Sequence, residues 1–484
     1  MAHHHGMEPL KNMAAFCRRD HEQTREDRFG RMFPDLAPAY ISPHTLRIIG
    51  APRGPMDSGR RDRNASSVSA GMVIFGQFVD HDITLDVTSS FDRVNEPGEI
   101  GNVRTPTLDL DCIYGAGPEP QPYLYSQTAP FNGVKLLTGA DMPDATPLQK
   151  QDLLRGPNGR AIIGDPRNDE NGVIGQMQLA MIRFHNNMAQ RLHDTEGLEG
   201  HDLYEEARRL TTWHYQWTVV NDFLVAMCGR AVVDRILGCG REYYCPKVPF
   251  IPVEFAVAAY RFGHSMVPMS LRVQENGDAH ELFGSVLGEG FSPLSSEQAV
   301  VEWAALFETP GSQSFEPADR MDTLLASDLL ALPFIGAGDE RSLATRNLLR
   351  GNSFLLPGGD TVAEKMGRPH AEIERVMARI HAMSDGLIRK GAPLWLYLLA
   401  EAELIGKETQ EGRFEQGEGL GPVGARIVAE VLIGLMELDE RSYLGANRSF
   451  VPDEAFDTVG KILASTELAE TELNGIRRER QPAE

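Results

Sequence analysis

The chain has 484 residues, 42% hydrophobic and 24% charged, a composition typical of a soluble globular protein with one large domain or two to three average ones. Its 69 acidic and 47 basic residues give a formal charge of −22, which argues against nucleic acid or an anionic membrane as the main partner. No apolar run approaches the length of a membrane span.

Residues 1–30 are polar and predict a flexible N-terminal arm. The rest, 31–484, predicts one mainly α-helical domain with very little β-structure. The first residues lack the apolar core of a secretory signal, which favours a cytoplasmic protein or export by a non-classical route. The five cysteines are odd in number and scattered, which indicates free thiols and not a disulfide framework or a zinc site. The sequence leaves the oligomeric state open.

A run of apolar residues at 72–79 predicts a buried helix over about 70–81. Gln77, Asp80 and His81 share one face of this helix because they lie three or four positions apart. Ionisable groups are costly to bury unless they are paired or bound. A lone buried histidine is usually a satisfied core residue, but this clustering favours a functional site. Asp82 is turned about 100° away and is expected to serve a second site.

Thr105, Thr107, Asp109 and Asp111 occupy alternate positions after the first helix. In an extended or looped chain they place four oxygen-bearing side chains on one side. Calcium takes six to eight such oxygens, often from one loop. The alternative is a strand with a solvated polar face. The sequence therefore offers a calcium site, which Asp82 would complete.

Three later helices carry further candidates. A polar block at 164–172 precedes a periodic helix and places Arg167 at its entrance, although an exposed capping turn explains that block equally well. Residues 253–265 predict a second buried helix with His264 near its end. Asn347 and Arg350 share a face of another helix. A glycine pattern at 419–424 follows a charged segment and no strand, which argues against a dinucleotide site.

These motifs occur in the order found in one family, and they cover nearly the whole chain from about Phe33 to Leu444. The chain resembles the animal-type haem peroxidases, the superfamily of myeloperoxidase, peroxinectin and cyclooxygenase, and in particular its bacterial-type members. The motifs are Gly76–Asp82, Thr105–Asp111, Arg167-x-x-Glu170, Arg261–His264 and Asn347-x-x-Arg350-Gly351.

The resemblance implies haem b as the cofactor, with His264 as the proximal iron ligand and Asn347 accepting a hydrogen bond from the other ring nitrogen of His264. It implies that His81 is the distal acid–base catalyst, beside Gln77 and Arg167. Two carboxylates that can form ester links to the haem, and two arginines, complete the implied cofactor site: Asp80, Glu170, Arg261 and Arg350. The implied calcium ligands are Asp82, Thr105, Thr107, Asp109 and Asp111.

Two positions depart from the family pattern. Asn171 stands where myeloperoxidase has the methionine that forms a sulfonium link to the haem, so an extreme, chloride-oxidising potential is not expected. Asp111 stands where mammalian members have serine, which adds negative charge to the implied calcium site.

The resemblance implies a peroxidase that reduces hydrogen peroxide through a ferryl intermediate and oxidises small donors such as phenols, iodide, bromide or thiocyanate. One alternative is a fatty-acid dioxygenase of the same superfamily. Cyclooxygenases carry a tyrosine three residues before the proximal histidine; Arg261 stands there, and Tyr260 is expected to point elsewhere on the helix. Another alternative is a calcium-bound adhesion or interaction module without catalysis. The presence of Gln77, His81, Arg167 and His264 argues against it.

Overall fold

Helices dominate the computed structural model, which describes residues 28–59, 65–91, 93–288, 290–312, 314–336 and 338–467. The mainly α-helical class predicted from the sequence is confirmed, since strands occur only as short pairs within these ranges. The arm expected over residues 1–30 lies outside the described residues except for its last three. Of those three, Phe29 and Gly30 form a strand and are not part of an arm.

The strands make four two-stranded sheets in the described part of the chain. One pair is parallel and joins β1 (Phe29–Gly30) to β3 (Ile251–Pro252). The other three pairs are antiparallel: β2 (Ala65–Ser69) with β6 (Pro317–Asp319), β4 (Ser270–Arg272) with β5 (Ala279–Glu281), and β7 (Lys407–Glu408) with β8 (Phe414–Glu415).

The α-helices surround one hydrophobic core. In chain order they are α1 (Pro43–Gly50), α2 (Ala70–Ile83), α3 (Asp111–Tyr114), α4 (Pro147–Lys150), α5 (Gly172–Glu196), α6 (Gly200–Thr218), α7 (Leu224–Cys228), α8 (Arg230–Cys239), α9 (Trp303–Leu306), α10 (Leu343–Ser353), α11 (Gly359–Lys365), α12 (His370–Met383), α13 (Leu394–Leu404), α14 (Pro422–Leu438), α15 (Tyr443–Ala446) and α16 (Val459–Ala464). Within the ranges that the structure describes, every helix is too short or too polar to cross a lipid bilayer.

Helix α2 is the buried helix predicted over about 70–81. The hydroxyl of Ser69 caps its start by accepting from the amide of Met72 at 3.2 Å. Its aromatic side chains pack against α6, where the ring of Phe78 meets Tyr215 edge-on at 6.1 Å. Gly76 allows a close approach, because a Cβ atom there would lie 3.0 Å from the ring of Phe223. Only Gln77 and Asp80 of this helix are not fully buried.

The segment that carries His264 is helical but is not the regular α-helix expected over 253–265. Residues Glu254–Ala258 form a π-helical turn and Ala259–Ser265 a 3₁₀-helix. Buried Glu254 accepts from the backbone amides of Met32 and Phe33 at 2.9 and 3.1 Å, which ties this segment to the chain beside β1. Irregular turns of this kind are frequent at functional sites, because they re-aim the side chains that follow.

Two further elements bring polar residues towards α2. A 3₁₀ turn at Pro166–Asp169 leads into α5, whose first amides are capped by Asn171 through a 3.0 Å bond to Ile174. The helix predicted to follow the acidic block is thereby confirmed. Helix α10 begins at a Ser342 cap and carries Asn347 and Arg350 on one face, also as predicted.

Candidate active site

A cavity of about 470 Å³ is lined by α2, the 254–265 segment, α10 and the turn before α5. This volume falls in the range of about 300–1,000 Å³ that is usual for cofactor and small-ligand sites. The structure brings to this one cavity all of the residues that the sequence assigned to catalysis or cofactor binding: Gln77, Asp80, His81, Arg167, Glu170, Arg261, His264, Asn347 and Arg350.

His81 lies almost fully buried, with one ring nitrogen engaged and the other near a carboxylate. Its Nδ1 lies 2.7 Å from Oδ1 of Asn168, and its Nε2 lies 4.0 Å from Oε1 of Glu170. Gln77 donates its side-chain amide to the same oxygen of Glu170. Burial raises the pKa of Glu170, although the neighbouring His81 and Arg167 oppose the shift. An imidazole, an amide and a carboxyl thus meet at one wall of the cavity.

The guanidinium of Arg167 reaches this wall but is not a free charge. It donates to the backbone carbonyl of His81 at 2.9 Å and pairs with Asp165 at 2.7 Å. Asp165 is fully buried, and burial alone would raise its pKa, but the bonds from Arg167 and the charge of Arg104 hold that pKa below its usual value. The ion pair fixes the position of Arg167 and balances part of its charge.

His264 contacts Asn347 as expected, but with the amide turned the other way. Arg261 donates to Oδ1 of Asn347 at 3.0 Å, so Nδ2 of Asn347 faces Nδ1 of His264 at 2.8 Å. The expectation that Asn347 accepts from His264 is therefore wrong for this arrangement, because Arg261 already occupies the amide oxygen. Burial and the charge of Arg261 lower the pKa of His264 to about 3, so its ring is neutral, which is the form that binds metal.

Arginines collect at the part of the cavity formed by α10. Arg350 pairs with Asp86 at 3.1 Å and donates to the hydroxyl of Ser89 at 2.8 Å. The guanidinium groups of Arg346 and Arg350 each lie 5.0 Å from the ring centre of Phe91. Burial, with Arg350 nearby, lowers the pKa of Arg261 to about 10. This cationic cluster suits anionic groups carried by an otherwise apolar ligand.

Tyr260 also lines the cavity, which corrects the expectation that it points elsewhere. The expectation assumed an α-helix, whereas Tyr260 lies in the 3₁₀ turn that follows the π-helical turn. Its ring stacks on Phe255 at 4.7 Å, and its buried hydroxyl has no hydrogen-bond partner among the described residues.

A second site lies behind α2, where three carboxylates converge. Oxygens of Asp82, Asp109 and Asp111 all lie within 4.8 Å of one another. Asp82 is fully buried; its Oδ2 accepts from the amide of Leu110 at 3.2 Å, whereas Oδ1 has no hydrogen-bond partner within the described ranges. Burial and the two neighbouring aspartates raise the pKa of Asp82 well above normal. Such a cluster is costly without a cation.

Three of the predicted calcium ligands in the neighbouring loop already have partners within the chain. The hydroxyl of Thr105 donates to Asp109 at 2.9 Å, and Thr107 lies in the same loop. Arg104 already contacts Asp111 at 3.2 Å and Asp165 at 2.9 Å. Burial, with Asp109 beside it, still raises the pKa of Asp111 to about 7. A cation at this site would therefore share Asp111 with Arg104.

Comparison with known proteins decides the family. A family model described as animal haem peroxidase matches residues 88–372, more than half of the chain. The chain belongs to the animal haem peroxidase family. The matched range begins after Gly76–Asp82 and is narrower than the resemblance from about Phe33 to Leu444. Chorion peroxidase of Drosophila melanogaster is 27% identical over 281 residues, covering 53% of this chain and 34% of that protein.

Two solved structures share the fold of this chain. Peroxidase A from Dictyostelium discoideum superposes with a TM-score of 0.61 at 16% identity, over 91% of this chain and 93% of that one. The Oryza sativa fatty acid alpha-dioxygenase superposes with a TM-score of 0.60 at 15% identity, over 95% of this chain and 82% of that one. The chain spans only about a third or less of the length of the first curated relatives that it matches.

The sequence missed several residues that hold this site together. The sequence places Asn168 only in a polar block and Gln178 only in a periodic helix. Asp165 and Arg104 carried no signal beyond their charge, because a sequence does not tell which charges meet. The family pattern predicts the residues that line the cavity. These four residues are not among the lining residues and contact them directly or through one another.

Proposed function

We propose that this chain is a haem-dependent peroxidase that reduces hydrogen peroxide and oxidises small donors such as phenols, iodide, bromide or thiocyanate. One observation carries the proposal. A single cavity holds a neutral histidine on one element, His264, and an imidazole–amide–guanidinium set on others, His81, Gln77 and Arg167. A binding module has no use for both sets.

The residues present fit haem as the cofactor. The apolar lining suits a porphyrin ring, and Arg261, Arg346 and Arg350 suit its two propionates. His264 would hold the iron through Nε2. That nitrogen must then lose its proton, so Asn347 would turn its amide and accept from Nδ1, at the expense of its bond to Arg261. When bound, haem supplies the oxidising equivalents.

His81 is the group placed to move protons. Its Nε2 takes a proton from one oxygen of peroxide and returns it to the other, which then leaves as water. The amide of Gln77 and the guanidinium of Arg167 orient the peroxide by donating hydrogen bonds, and the charge of Arg167 favours the negative charge that develops as the O–O bond breaks.

Two finer proposals concern bound groups. We propose that calcium occupies the cluster of Asp82, Asp109 and Asp111, with Thr105 and Thr107 as further ligands. One buried oxygen of Asp82 lacks a hydrogen-bond partner among the described residues, which supports the presence of a cation there. We also propose that Asp80 and Glu170 would form ester links to haem methyl groups, because both carboxylates line the cavity. Each link would replace one methyl C–H bond with a C–O bond and would use one hydrogen peroxide as the two-electron oxidant, which leaves as water.

The ester links are tested by mass spectrometry after denaturation in acidic organic solvent. We expect part of the haem to extract freely before peroxide is added, and we expect the haem to stay attached after stoichiometric peroxide. Asp80→Val and Glu170→Gln should each remove one link, and only the double variant should release all haem. Haem that always extracts freely would refute the links and leave the peroxidase proposal intact.

The peroxidase proposal is tested by loading the purified full chain with haem and recording its spectrum before and after peroxide. We expect a Soret band that changes within seconds, together with oxidation of guaiacol and iodide. His81→Ala should keep the Soret band and lower kcat/KM for peroxide by about 10²–10⁴-fold. His214→Ala is a matched control, because His214 is a buried histidine outside this cavity. A chain that takes up no haem, or that takes it up and ignores peroxide, contradicts the proposal.

Tyr260 favours a second candidate, a fatty-acid dioxygenase. Tyr260 is one of the residues that line the cavity, and its buried hydroxyl has no hydrogen-bond partner among the described residues. A tyrosine beside a haem cavity would serve as a hydrogen-atom donor. This function predicts oxygen uptake with a long-chain fatty acid that Tyr260→Phe abolishes. Guaiacol oxidation that survives Tyr260→Phe, without any fatty-acid-dependent oxygen uptake, selects the peroxidase.

A further inference from the structure

We propose that Asn168 and Gln178 are positioning residues that set the tautomer of His81, so that its Nε2 faces the cavity without a proton. The proposal rests on the peroxidase function only for its catalytic consequence. The tautomer itself follows from hydrogen bonds within the chain.

The hydrogen bonds form a relay with one possible direction. The backbone carbonyl of Cys112 can only accept, so the group 3.0 Å from it must be the amide nitrogen of Gln178. The oxygen of Gln178 then accepts from Nδ2 of Asn168 at 2.8 Å. The oxygen of Asn168 is left facing Nδ1 of His81 at 2.7 Å, and that nitrogen must donate. Turning either amide would set two acceptors or two donors against each other.

Burial removes the alternatives to this arrangement. Asn168 and Gln178 are fully buried, and His81 is 6% exposed, so water does not replace a lost partner. The Cys112 carbonyl is also held by the amide of Asp165 at 3.1 Å, which fixes the end of the relay. The relay therefore starts at a backbone carbonyl. Gln178 and Asn168 transmit the direction of its hydrogen bonds from that carbonyl to His81.

The consequence for the reaction concerns which nitrogen is the base. A neutral imidazole has one donor nitrogen and one acceptor nitrogen. With the proton held on Nδ1, the lone pair of Nε2 is available to accept a proton from peroxide. In the other tautomer Nε2 already carries a proton, and the first transfer fails. Asn168 and Gln178 act through His81 and do not touch peroxide.

Three variants separate positioning from packing. Asn168→Leu removes the acceptor, and we expect a mixed tautomer and a loss of at least tenfold in the peroxide rate constant, up to the 10²–10⁴-fold that acid–base catalysis contributes in full. Asn168→Asp keeps an acceptor facing Nδ1 of His81, so the proton should stay on Nδ1, although its second oxygen then faces the oxygen of Gln178. Gln178→Leu leaves Asn168 free to turn and should give an intermediate mixture. Gln176→Leu is the control: Gln176 is buried on the same helix, and its amide bonds to Gln151 outside the relay.

The tautomer is measured by nitrogen-15 NMR on full-length chain with labelled histidine, in the diamagnetic ferrous carbon monoxide form. The two ring nitrogens of a neutral histidine differ widely in chemical shift according to which one carries the proton. The signals of His81 are identified by their loss in His81→Gln. If the chain takes up no haem, the same spectrum is recorded on the chain as purified, so failure of the peroxidase proposal does not prevent this test.

We expect wild-type protein to carry the proton on Nδ1 alone. A wild-type spectrum with the proton on Nε2 overturns the proposal without reference to any variant. Asn168→Leu protein that is folded and keeps both the wild-type spectrum and the wild-type peroxide rate also overturns it. If that variant does not fold, Gln178→Leu decides in the same way, with Gln176→Leu as the measure of packing loss.

Discussion

Asn347 is the residue that links Arg261 to His264 in the candidate haem site. In the observed arrangement its amide nitrogen faces His264, because its oxygen is occupied by Arg261. Iron binding through Nε2 requires the opposite polarity at Nδ1. The preference of Arg261 for the Asn347 oxygen is thus in competition with the use of His264 as an iron ligand.

His264→Ala is expected to abolish stable haem binding. His264 is the one histidine of the 254–265 segment, and burial keeps its ring neutral. The measurement is the Soret absorbance that remains after gel filtration of haem-loaded protein. His214→Ala again serves as the control and should retain haem. A normal Soret band in the His264→Ala protein would show that another group holds the iron.

At the scale of elements, helix α2 joins two sites through adjacent residues. His81 faces the cavity, and Asp82 faces the carboxylate cluster on the other side. A cation at the cluster would therefore hold the end of α2 in place. The backbone of Leu110, which contacts Asp82, has a positive φ of 59°, an uncommon conformation for leucine. This conformation lies at the residue whose amide donates to Asp82 of the cluster.

Removal of calcium should lower both stability and activity. Binding to the folded state alone adds about 3 kcal/mol at a hundredfold excess over Kd. We expect prolonged EGTA treatment, checked by metal analysis, to lower Tm and the peroxidase rate together, and Asp82→Asn to reproduce the loss. Asp278→Asn, an exposed change between β4 and β5, should do neither. Unchanged Tm and rate in verified metal-free protein would rule out this role.

Helix α14 begins against a buried carboxyl group from α13. Glu401 is 2% exposed and accepts from the amides of Val423 and Gly424 at 3.1 and 3.4 Å. Burial raises its pKa from 4.5 to about 8. The folded state therefore binds an extra proton between these two pH values, and stability falls as pH rises through that window.

Glu401→Gln should remove this pH dependence. The amide oxygen can accept the same bonds but cannot ionise. We expect the variant to match wild type near pH 5 and to exceed it at pH 8 by a few kcal/mol, on the scale of about 1.4 kcal/mol per pH unit. Denaturant unfolding at both pH values measures the difference, and exposed Glu415→Gln is the control. Parallel pH profiles for wild type and Glu401→Gln would contradict the argument.

At the scale of the whole molecule, the net charge of −22 contrasts with the arginines of the cavity. Long-range repulsion acts on anionic donors before the local arginines can attract them. We expect kcat/KM for iodide to rise with ionic strength as salt screens this repulsion, and kcat/KM for neutral guaiacol to stay constant. Stopped-flow rates from about 0.01 to 0.5 M salt test this. A fall in the iodide rate would show that the arginine cluster dominates the encounter.

The sequence predicted the parts of this molecule that depend on local spacing. Periodicity placed α2, α5 and α10, and residues three or four apart on α2 and on α10 do share the cavity. Periodicity could not show that residues 254–265 depart from α-helical geometry, because the same residues suit either backbone. The direction of the Tyr260 side chain depends on that geometry, so the sequence could not predict it either. The partners of Asn168, Gln178 and Arg104 lie far away in the sequence or across a loop, so only the folded chain reveals them.

The cavity has a consequence for the order of folding. His81 meets Asn168 across 87 residues of chain, and His264 meets Asn347 across 83. Contacts at such separations form late, since the entropy of closing long loops must be overcome first. The contacts that join these distant segments around the cavity form only after the long loops have closed. A cofactor held there would therefore bind late in folding. The fraction of newly synthesised protein that contains the cofactor would then equal the fraction that has completed folding.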